Sequence, residues 1–524
     1  MGVERELKLE GRAEDLRKLL ADPSVADGLK GRPARRRLAA TYYDTPEGTL
    51  RRELGMSFRV RKEGRRWVQA VKREPTGNGV LLARDEWEVQ VAGEAPEPAR
   101  FTDPELAELV QAVTGRELVA IVRTDIRRET VDLDWTDEHG RNAVVNLALD
   151  QGRIEADGRS EEVSELELEL VEGDPACLYA LALRCAELAP VRFATRSKWQ
   201  RGVRLHDRLA PEPVKAERPE LAADANIETV MVAAFGAALH QWIGNEAAVL
   251  DGRDPEGIHQ MRVALRRLRS LLTVFKDLIP PAQRKSLSGE LRTVVKALGP
   301  ARDLDVFEAE LLAPVLAARA GEPSLSALQE LTASARARAY DEAHAMVASR
   351  NYGRTLLRLS AWLAMRGWRM GADAAGADQL AMPATEAAAA LLDKALRKVR
   401  RRGRHFAGLA PDERHEVRIA LKKLRYAADA VTDLFPPDRV KPYNKRLSQL
   451  QDHMGRFNDA FVAGTLVDRL LGDGGLPAAM RQAAAKGAGM VAGWHAHAAV
   501  ADEPELIDAW RAFKRAAPFW EGAA

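Results

Sequence analysis

The apolar period changes once along this chain, and that change divides it into two kinds of fold. Up to about residue 205, short segments alternate charged and apolar side chains. Val3-Glu4-Arg5-Glu6-Leu7-Lys8-Leu9-Glu10 and Ser164-Glu165-Leu166-Glu167-Leu168-Glu169-Leu170 are strict cases. A period of two puts alternate residues on opposite faces of a strand. Segments 56–62, 67–72, 84–91, 126–133 and 144–149 read as further strands, with helices near 12–21, 103–113 and 175–188. Thr76-Gly77-Asn78-Gly79 and Asp157-Gly158 are turn signals, so the pattern is α+β with antiparallel strands.

Residues 209–221, LAPEPVKAERPEL, hold three prolines among alternating charges and read as a linker. Beyond them Ala/Leu/Arg-rich segments of period 3.6 run to the C-terminus, which predicts an all-helical half. A loop-like stretch at 371–376 divides that half, and its two parts resemble each other. His259-Gln-Met-Arg262-Val-Ala-Leu-Arg266-Arg267-Leu-Arg269 matches His415-Glu-Val-Arg418-Ile-Ala-Leu-Lys422-Lys423-Leu-Arg425 at an offset of 156. Arg302-Asp303-Leu304-Asp305 lines up more loosely with Arg456-Phe457-Asn458-Asp459. An internal duplication explains both. The expected division is 1–208, a linker at 209–222, and a helical domain over 223–518.

Composition narrows the function. At 524 residues the chain exceeds what one core supports. With 46% hydrophobic and 30% charged residues it is neither a disordered tail nor a membrane protein. Its 79 Lys+Arg and 77 Asp+Glu leave a formal charge of +2, which argues against a generally basic nucleic-acid binder. Residues 1–210 carry 35 basic and 39 acidic side chains, and 211–524 carry 44 and 38, so any strong field is local. Cys177 and Cys185 read as buried thiols in a reducing compartment. Met1–Glu6 bears charges where a signal peptide needs an apolar run, and no uncharged apolar stretch of about 18 residues exists. A cytoplasmic protein without a membrane partner is expected.

One charged strand face is usually a solvated face. Here the alternation recurs in Arg59/Arg61, in Arg84/Glu86/Glu88 and in Glu165/Glu167/Glu169. Several such strands can close into a barrel with a charged interior. Mixed acids and bases inside it suit a ligand of both signs, such as a metal-bound polyphosphate, with carboxylates for Mg²⁺ or Mn²⁺ and Arg/Lys for phosphate.

Glu4-Arg-Glu6-Leu-Lys8 resembles the ExExK signature of the CYTH superfamily, the triphosphate tunnel metalloenzymes. Tyr42-Tyr43-Asp44-Thr45-Pro46, Arg59-Val60-Arg61, Lys72, Arg84-Asp-Glu86-Trp-Glu88, Asp150-Gln-Gly152, Glu165-Leu-Glu167-Leu-Glu169 and Arg196-Ser197-Lys198 follow in that family's order. The resemblance implies an eight-stranded antiparallel tunnel that binds triphosphate and a divalent cation. Carried over, Glu4, Glu6, Asp150, Glu165 and Glu167 hold metal, and Lys8, Arg59, Arg61, Lys72, Arg84, Arg128 and Lys198 hold phosphates. Glu4, Glu6 and Lys8 are the catalytic set, and Arg123 and Arg127 compete closely with Arg128. Inorganic triphosphate hydrolysis is the most economical reaction, with a water oriented by Glu4 or Glu6. Adenylate cyclase or thiamine-triphosphatase activity is the alternative, with Tyr42, Tyr43 and Trp67 as candidates to receive the organic group. A non-catalytic polyphosphate-binding protein is the third reading.

In the helical half, His259, Arg262, Arg266 and Arg269 fall within an arc of roughly 80° at helical spacing, and His415, Arg418, Lys422 and Arg425 repeat it. Residues 394–425 hold 12 basic side chains against three acidic ones. Neither His259 nor His415 has a second His or Cys at ligand spacing, which argues against a metal there. The stripes contain almost no aromatic residues, which argues against single-stranded nucleic acid. The stripes, the duplication and the Arg302–Asp305 stretch resemble the CHAD domain. That resemblance implies two four-helix bundles whose eight stripe residues bind inorganic polyphosphate, or dock the protein on polyphosphate granules. The Arg302–Asp305 carboxylates are expected to orient the stripe bases. Oligomeric state is not legible.

Overall fold

The computed structural model describes residues 5–73, 86–218, 220–222, 224–370, 374–472 and 477–521, except the side chains of 374–375, 456–463 and 465. Glu4, Arg84 and the Thr76–Gly79 turn signal therefore lie outside the described residues, as do the side chains of Arg456–Asp459. The chain divides into two compact units, Met1–Pro211 with Ala348–Met365, and Glu212–Val347 with Arg366–Ala524.

The first unit is built on one antiparallel sheet. Its strands are β1 (Glu6–Glu10), β2 (Leu29–Asp44), β3 (Met56–Glu63), β4 (Arg66–Arg73), β5 (Glu86–Val91), β6 (Val119–Thr136), β7 (Asn142–Ala156), β8 (Arg159–Gly173) and β9 (Arg192–Phe193). They are ordered β5-β4-β3-β2-β6-β7-β8-β1-β9. Eight strands of five residues or more carry the sheet, and the two-residue β9 extends it beside β1. Alternation explains the strands that the sequence predicts: in β1, Leu7 and Leu9 are fully buried on one face, while Glu6, Lys8 and Glu10 share the other. Asp157 (φ 51°) and Gly158 (φ 71°) turn β7 into β8, because two consecutive positive φ angles match the twist of a two-residue hairpin.

Two differences from the sequence reading matter for the site. Residues 29–44 form the 16-residue β2, which the sequence hides behind Gly31, Pro33 and an arginine run. A register shift between Lys30 and Ala34 absorbs both helix-and-strand breakers. The strands β6, β7 and β8 also run to 18, 15 and 15 residues, about twice the alternating stretches that signal them. β6 begins with the unbroken apolar run Val119–Val122 and β8 with Arg159-Ser160-Glu161-Glu162, polar on both faces, so the alternation is lost at those ends while the ladder continues.

Helices α1 (Ala13–Ala21), α2 (Ala176–Leu188) and α3 (Lys198–His206) cover this sheet. Cys177 and Cys185 of α2 are buried free thiols, and burial pushes Cys185 up to about 12. The start of α3 is fixed by a reciprocal cap: Ser197 accepts from the Gln200 backbone while Gln200 accepts from the Ser197 backbone. Its buried side presents Trp199 and Gly202. The helix Arg350–Ala364 also belongs to this unit, with Gly353 so close to Val191 that a Cβ would lie 2.1 Å from the Val191 carbonyl oxygen.

The second unit is helical and repeats itself. Its first half contains α4 (Ile227–Gly244), α5 (Pro255–Val274), α6 (Pro281–Ala297) and α7 (Pro323–Val347), and its second half α8 (Ala384–Arg402), α9 (Pro411–Val431), α10 (Pro437–Leu471) and α11 (Ala478–Lys514). Helices α5 and α9 start 156 residues apart, as do α6 and α10, each with proline in the first turn where a missing N–H costs nothing. Met261, Leu265, Leu268 and Leu272 bury one side of α5, and Val417, Leu421, Leu424 and Ala428 the matching side of α9. Among the described residues no helix is long and apolar enough to cross a membrane.

At Gly202 a Cβ would stand 2.3 Å from a Val122 methyl of β6. Gly202→Ala is expected to destabilise the protein by about 1–3 kcal/mol through overpacking, read as a lower unfolding midpoint of the full chain.

Candidate triphosphate site and basic helical face

The sheet gathers charged side chains around a cavity of about 360 Å³. Strand register does most of the placing. Arg128 on β6 stands opposite Asp150 on β7, Asp150 opposite Glu165 on β8, and Glu167 opposite Lys8 on β1. These neighbours therefore share the inner face. Asp150, Glu165 and Glu167 are at most 7% exposed, and each offers an oxygen within 4.8 Å of the others.

Three unpaired buried carboxylates would be prohibitively costly, and three cations offset them. Lys198, at the capped start of α3, places Nζ 2.6 Å from Glu165, 2.8 Å from Asp150 and 3.3 Å from Glu167. Arg128 donates two hydrogen bonds of 2.6 Å to the two Asp150 oxygens and a third, of 2.7 Å, to Glu167. Lys8 lies 3.0 Å from Glu167 and 3.3 Å from Glu6. Burial alone would push the Glu167 carboxyl up, but Lys198, Lys8 and Arg128 together hold it well below the usual carboxylate range. Burial likewise opposes the charge on Lys198, and the three carboxylates overcome it and raise its pKa.

The other wall comes from β3, β4 and β5. Arg59 donates to Glu86 at 2.9 Å, and Lys72 reaches the second Glu86 oxygen at 2.6 Å. Arg61 pairs with Glu63 and lies 3.5 Å from Glu88. Burial pushes both glutamates up. Lys72 and Arg59 bring Glu86 below its ordinary value, whereas Glu88, beside Glu86, stays above it. Leu38, Ala40, Tyr42, Ile126 and Trp199 supply an apolar strip between the walls.

Of the residues singled out from sequence, Glu6, Lys8, Arg59, Arg61, Lys72, Arg128, Asp150, Glu167 and Lys198 line the cavity, and Glu165 is buried beside it in the carboxylate cluster. Arg128 takes the inner position; Arg127, one residue away, falls on the opposite face, and exposed Arg123 is absent from the lining. Of the three aromatic candidates only Tyr42 reaches the cavity, stacked on Trp199 at 5.2 Å. Tyr43 donates to the Glu94 carbonyl, and Trp67 packs on the Tyr43–Val60–Val91 cluster.

Glu86, Glu88, Glu169, Ser57 and Arg201 were not assigned from sequence. The first three continue alternations that the sequence displays, so they were legible. Arg201 donates to Glu165 at 2.6 Å and Glu161 at 2.7 Å. It lies one helical turn beyond Lys198, a signal visible only once α3 is known to begin at Lys198.

The donor set fits a hard divalent cation: three buried carboxylates within coordinating distance of one another, with no sulfur or imidazole among them.

On the helical unit, α5 carries His259, Arg262, Arg266 and Arg269, all half-buried. Arg262 donates to the Val295 carbonyl at 3.0 Å and lies 3.8 Å from Asp303. Burial pushes its guanidinium down to about 10, and Arg266 and Arg302 add to the effect against Asp303. The His259 imidazole is also held below its ordinary value by burial, then by Arg302, Arg266 and Arg262 against Glu256. The Nε atoms of Arg262, Arg266 and Arg269 and Nδ1 of His259 are buried without a hydrogen-bond partner in the protein.

Helix α9 carries His415, Arg418, Lys422 and Arg425 and packs on α5. Arg425 donates to Gln451 at 3.0 Å. Lys423, next to the α9 stripe, is pushed down by burial and then by Lys398, Arg402 and Arg269 against Glu416, so like charges from α5, α8 and α9 meet around it. Only one carboxylate of the Arg302–Asp305 stretch meets the stripe. Asp305, two residues and some 200° round the helix from Asp303, instead accepts from Arg336 at 2.7 Å and from Tyr340 at 3.0 Å.

Lys198→Met strips the carboxylate cluster of its central cation. Without divalent metal it is expected to destabilise the protein by about 3–5 kcal/mol. Thermal unfolding in EDTA and in Mg²⁺ checks this, with Mg²⁺ raising the midpoint of the variant more than that of wild type.

Residues 3–203 match the family model of the CYTH domain, and residues 233–468 that of the CHAD domain. The CHAD domain from the plant Ricinus communis is 28% identical, covering 58% of this chain and 97% of its own, with a TM-score of 0.48. PptA from Streptomyces chartreusis is 17% identical, covering 55% of this chain and 100% of its own, at 0.41. HpAC1 from Hippeastrum, an adenylyl cyclase candidate described as having a dominant triphosphatase activity, is 16% identical and covers 39% of this chain and 96% of its own, at 0.26. CYTH proteins are tunnel metalloenzymes with triphosphatase or cyclase activity. The chain thus joins a CYTH domain to a CHAD domain.

Proposed function

We propose that the tunnel hydrolyses the terminal phosphoanhydride of inorganic triphosphate with Mg²⁺ or Mn²⁺, and that the helical domain binds inorganic polyphosphate or docks on polyphosphate granules. The charge balance of the cavity carries the first part. Among its described lining residues six are acidic and six basic. An electrically balanced lining suits a metal–triphosphate complex better than a free polyanion, which would leave the carboxylates repelling it. The aromatic strip favours the inorganic substrate: Tyr42 and Trp199 stack on each other and are 6% and 4% exposed, leaving little ring face for an organic group.

Asp150, Glu165 and Glu167 would hold the cation, which supplies Lewis-acid neutralisation of the phosphate oxygens. Arg59, Arg61 and Lys72 hold the phosphate chain from the opposite wall and stabilise charge on the phosphoryl group as it transfers. Lys8, Arg128 and Lys198 neutralise the carboxylates in this structure and would be free to pair with phosphate oxygens if a bound cation met the carboxylate charge. Glu6 orients the attacking water. The P–O bond to the leaving pyrophosphate breaks as water oxygen bonds to phosphorus, and the proton that the water gives up leaves to solvent. Lys8 has two roles, as a catalytic cation and as the partner of Glu167.

The helical domain's reading rests on like charges pressed together with orphaned buried donors. A linear polyanion relieves that repulsion and satisfies the donors of His259, Arg262, Arg266 and Arg269 on α5. His415, Arg418, Lys422 and Arg425 on α9 extend the same contact.

Phosphate release from tripolyphosphate, ATP and thiamine triphosphate with Mg²⁺ and with Mn²⁺ tests the tunnel, and a preference for either organic substrate would overturn it. Asp150→Asn, Glu167→Gln and Arg59→Ala are each expected to lower kcat by about 10²–10³. Polyphosphate binding should tighten as pH falls below the ordinary imidazole value of about 6.5. A bound polyanion raises the depressed His259 pKa, so the complex takes up a proton that the free protein lacks. Equilibrium binding across pH checks this, and His259→Ala should flatten the slope.

A further inference from the structure

The row of side chains that builds the carboxylate cluster does not stop at Arg128. In the β2–β6 ladder Arg36 stands directly opposite Arg128, as Arg128 stands opposite Asp150 and Asp150 opposite Glu165. Cross-strand partners share a face, so Arg36 belongs to the inner face of the sheet. Alternation along β2 agrees: Leu38, Ala40 and Tyr42 line the cavity, and Arg36 is the next residue on that side. Leu38 is the last β2 residue in the lining and Arg36 is exposed, which puts it at the rim.

Its neighbours on β2 show what is unusual about it. Arg37 is held on the outer face by two hydrogen bonds to Asp125, of 2.8 and 2.7 Å, and Arg35 by Glu129 at 3.3 Å. Among the described residues Arg36 has no such carboxylate. Its cross-strand neighbour is another arginine, a pairing that is repulsive in the absence of an anion. Asp150 and Glu167 already meet the charge of Arg128, which leaves the exposed Arg36 guanidinium without a carboxylate among the described residues and open to an anionic ligand.

We infer that Arg36 is a rim contact for the phosphate that follows the triphosphate unit in a longer linear chain, and that it biases the tunnel towards inorganic polyphosphates of four or more phosphates. This rests on the triphosphate-tunnel reading. The position is about one strand spacing, roughly 4.8 Å, beyond Arg128, within reach of an arginine side chain. A triphosphate held by Arg59, Arg61, Lys72 and Arg128 does not need it.

The test compares tripolyphosphate and tetrapolyphosphate hydrolysis by the full chain with Mg²⁺. Arg36→Gln is expected to raise KM for tetrapolyphosphate five- to twentyfold with little change in kcat, to leave both constants for tripolyphosphate within twofold, and to be rescued by Arg36→Lys. Arg35→Gln, on the outer face, should change neither substrate. Equal effects on the two substrates, or none on tetrapolyphosphate, would overturn the inference. If wild type hydrolyses neither substrate, the tunnel reading itself has failed. Calorimetric titration of tetrapolyphosphate into wild type and Arg36→Gln then decides the rim, because both carry the same helical domain. Equal affinities reject it, and a loss of five- to twentyfold in the variant upholds it.

Discussion

Asp150, Glu165 and Glu167 put three carboxylates into one buried place, and the first unit is arranged around keeping them there. Each lies on a strand whose register is fixed by its neighbours, so none can withdraw without breaking a ladder. Their charge is met from three directions: by Arg128 across β6, by Lys8 across β1, and by Lys198 from the end of a helix. Arg201 then anchors Glu165 from the same helix. The cap at Ser197 and the close packing of Gly202 are thus parts of the site, although neither meets a ligand. Such a cluster is a poor source of stability, since well-packed apolar side chains would serve the fold as well. Its persistence is better explained by what it can hold.

The two domains are built on opposite electrostatic plans. In the tunnel, acids and bases are balanced, and burial heightens each interaction. On the helical unit the bases outnumber their acids locally, and burial first, with repulsion from neighbouring cations adding to it, lowers the pKa of Arg262, of Lys423 and of the imidazole of His259. The whole-chain charge of +2 averages these two fields and conceals both.

Much of the site was legible because strand alternation ties chemistry to geometry. Glu6, Lys8, Arg59, Arg61, Glu165 and Glu167 sit two residues from a like-facing neighbour, and such spacing specifies a shared face without any tertiary knowledge. The duplication fixed the two basic stripes in the same way, through the helical period. What escaped lacked that periodic signature. β2 was hidden by Gly31, Pro33 and consecutive arginines, and with it the inward position of Arg36. Asp305 was grouped with Asp303 because they are close in sequence, but a helix turns them to different neighbours.

The sequence by itself determined which half is sheet and which is helix, and which residues share a face. Both follow from periods that the backbone imposes on neighbouring residues. Only the tertiary structure decided which faces meet. It chose Arg128 over Arg123 and Arg127 by setting the β6–β7 register, and it brought Lys198 onto a cluster whose acids lie more than thirty residues earlier in the chain. It turned Tyr43 and Trp67 away from the cavity. Those choices depend on long-range pairing, and a one-residue slip of a strand would turn its inner residues outward.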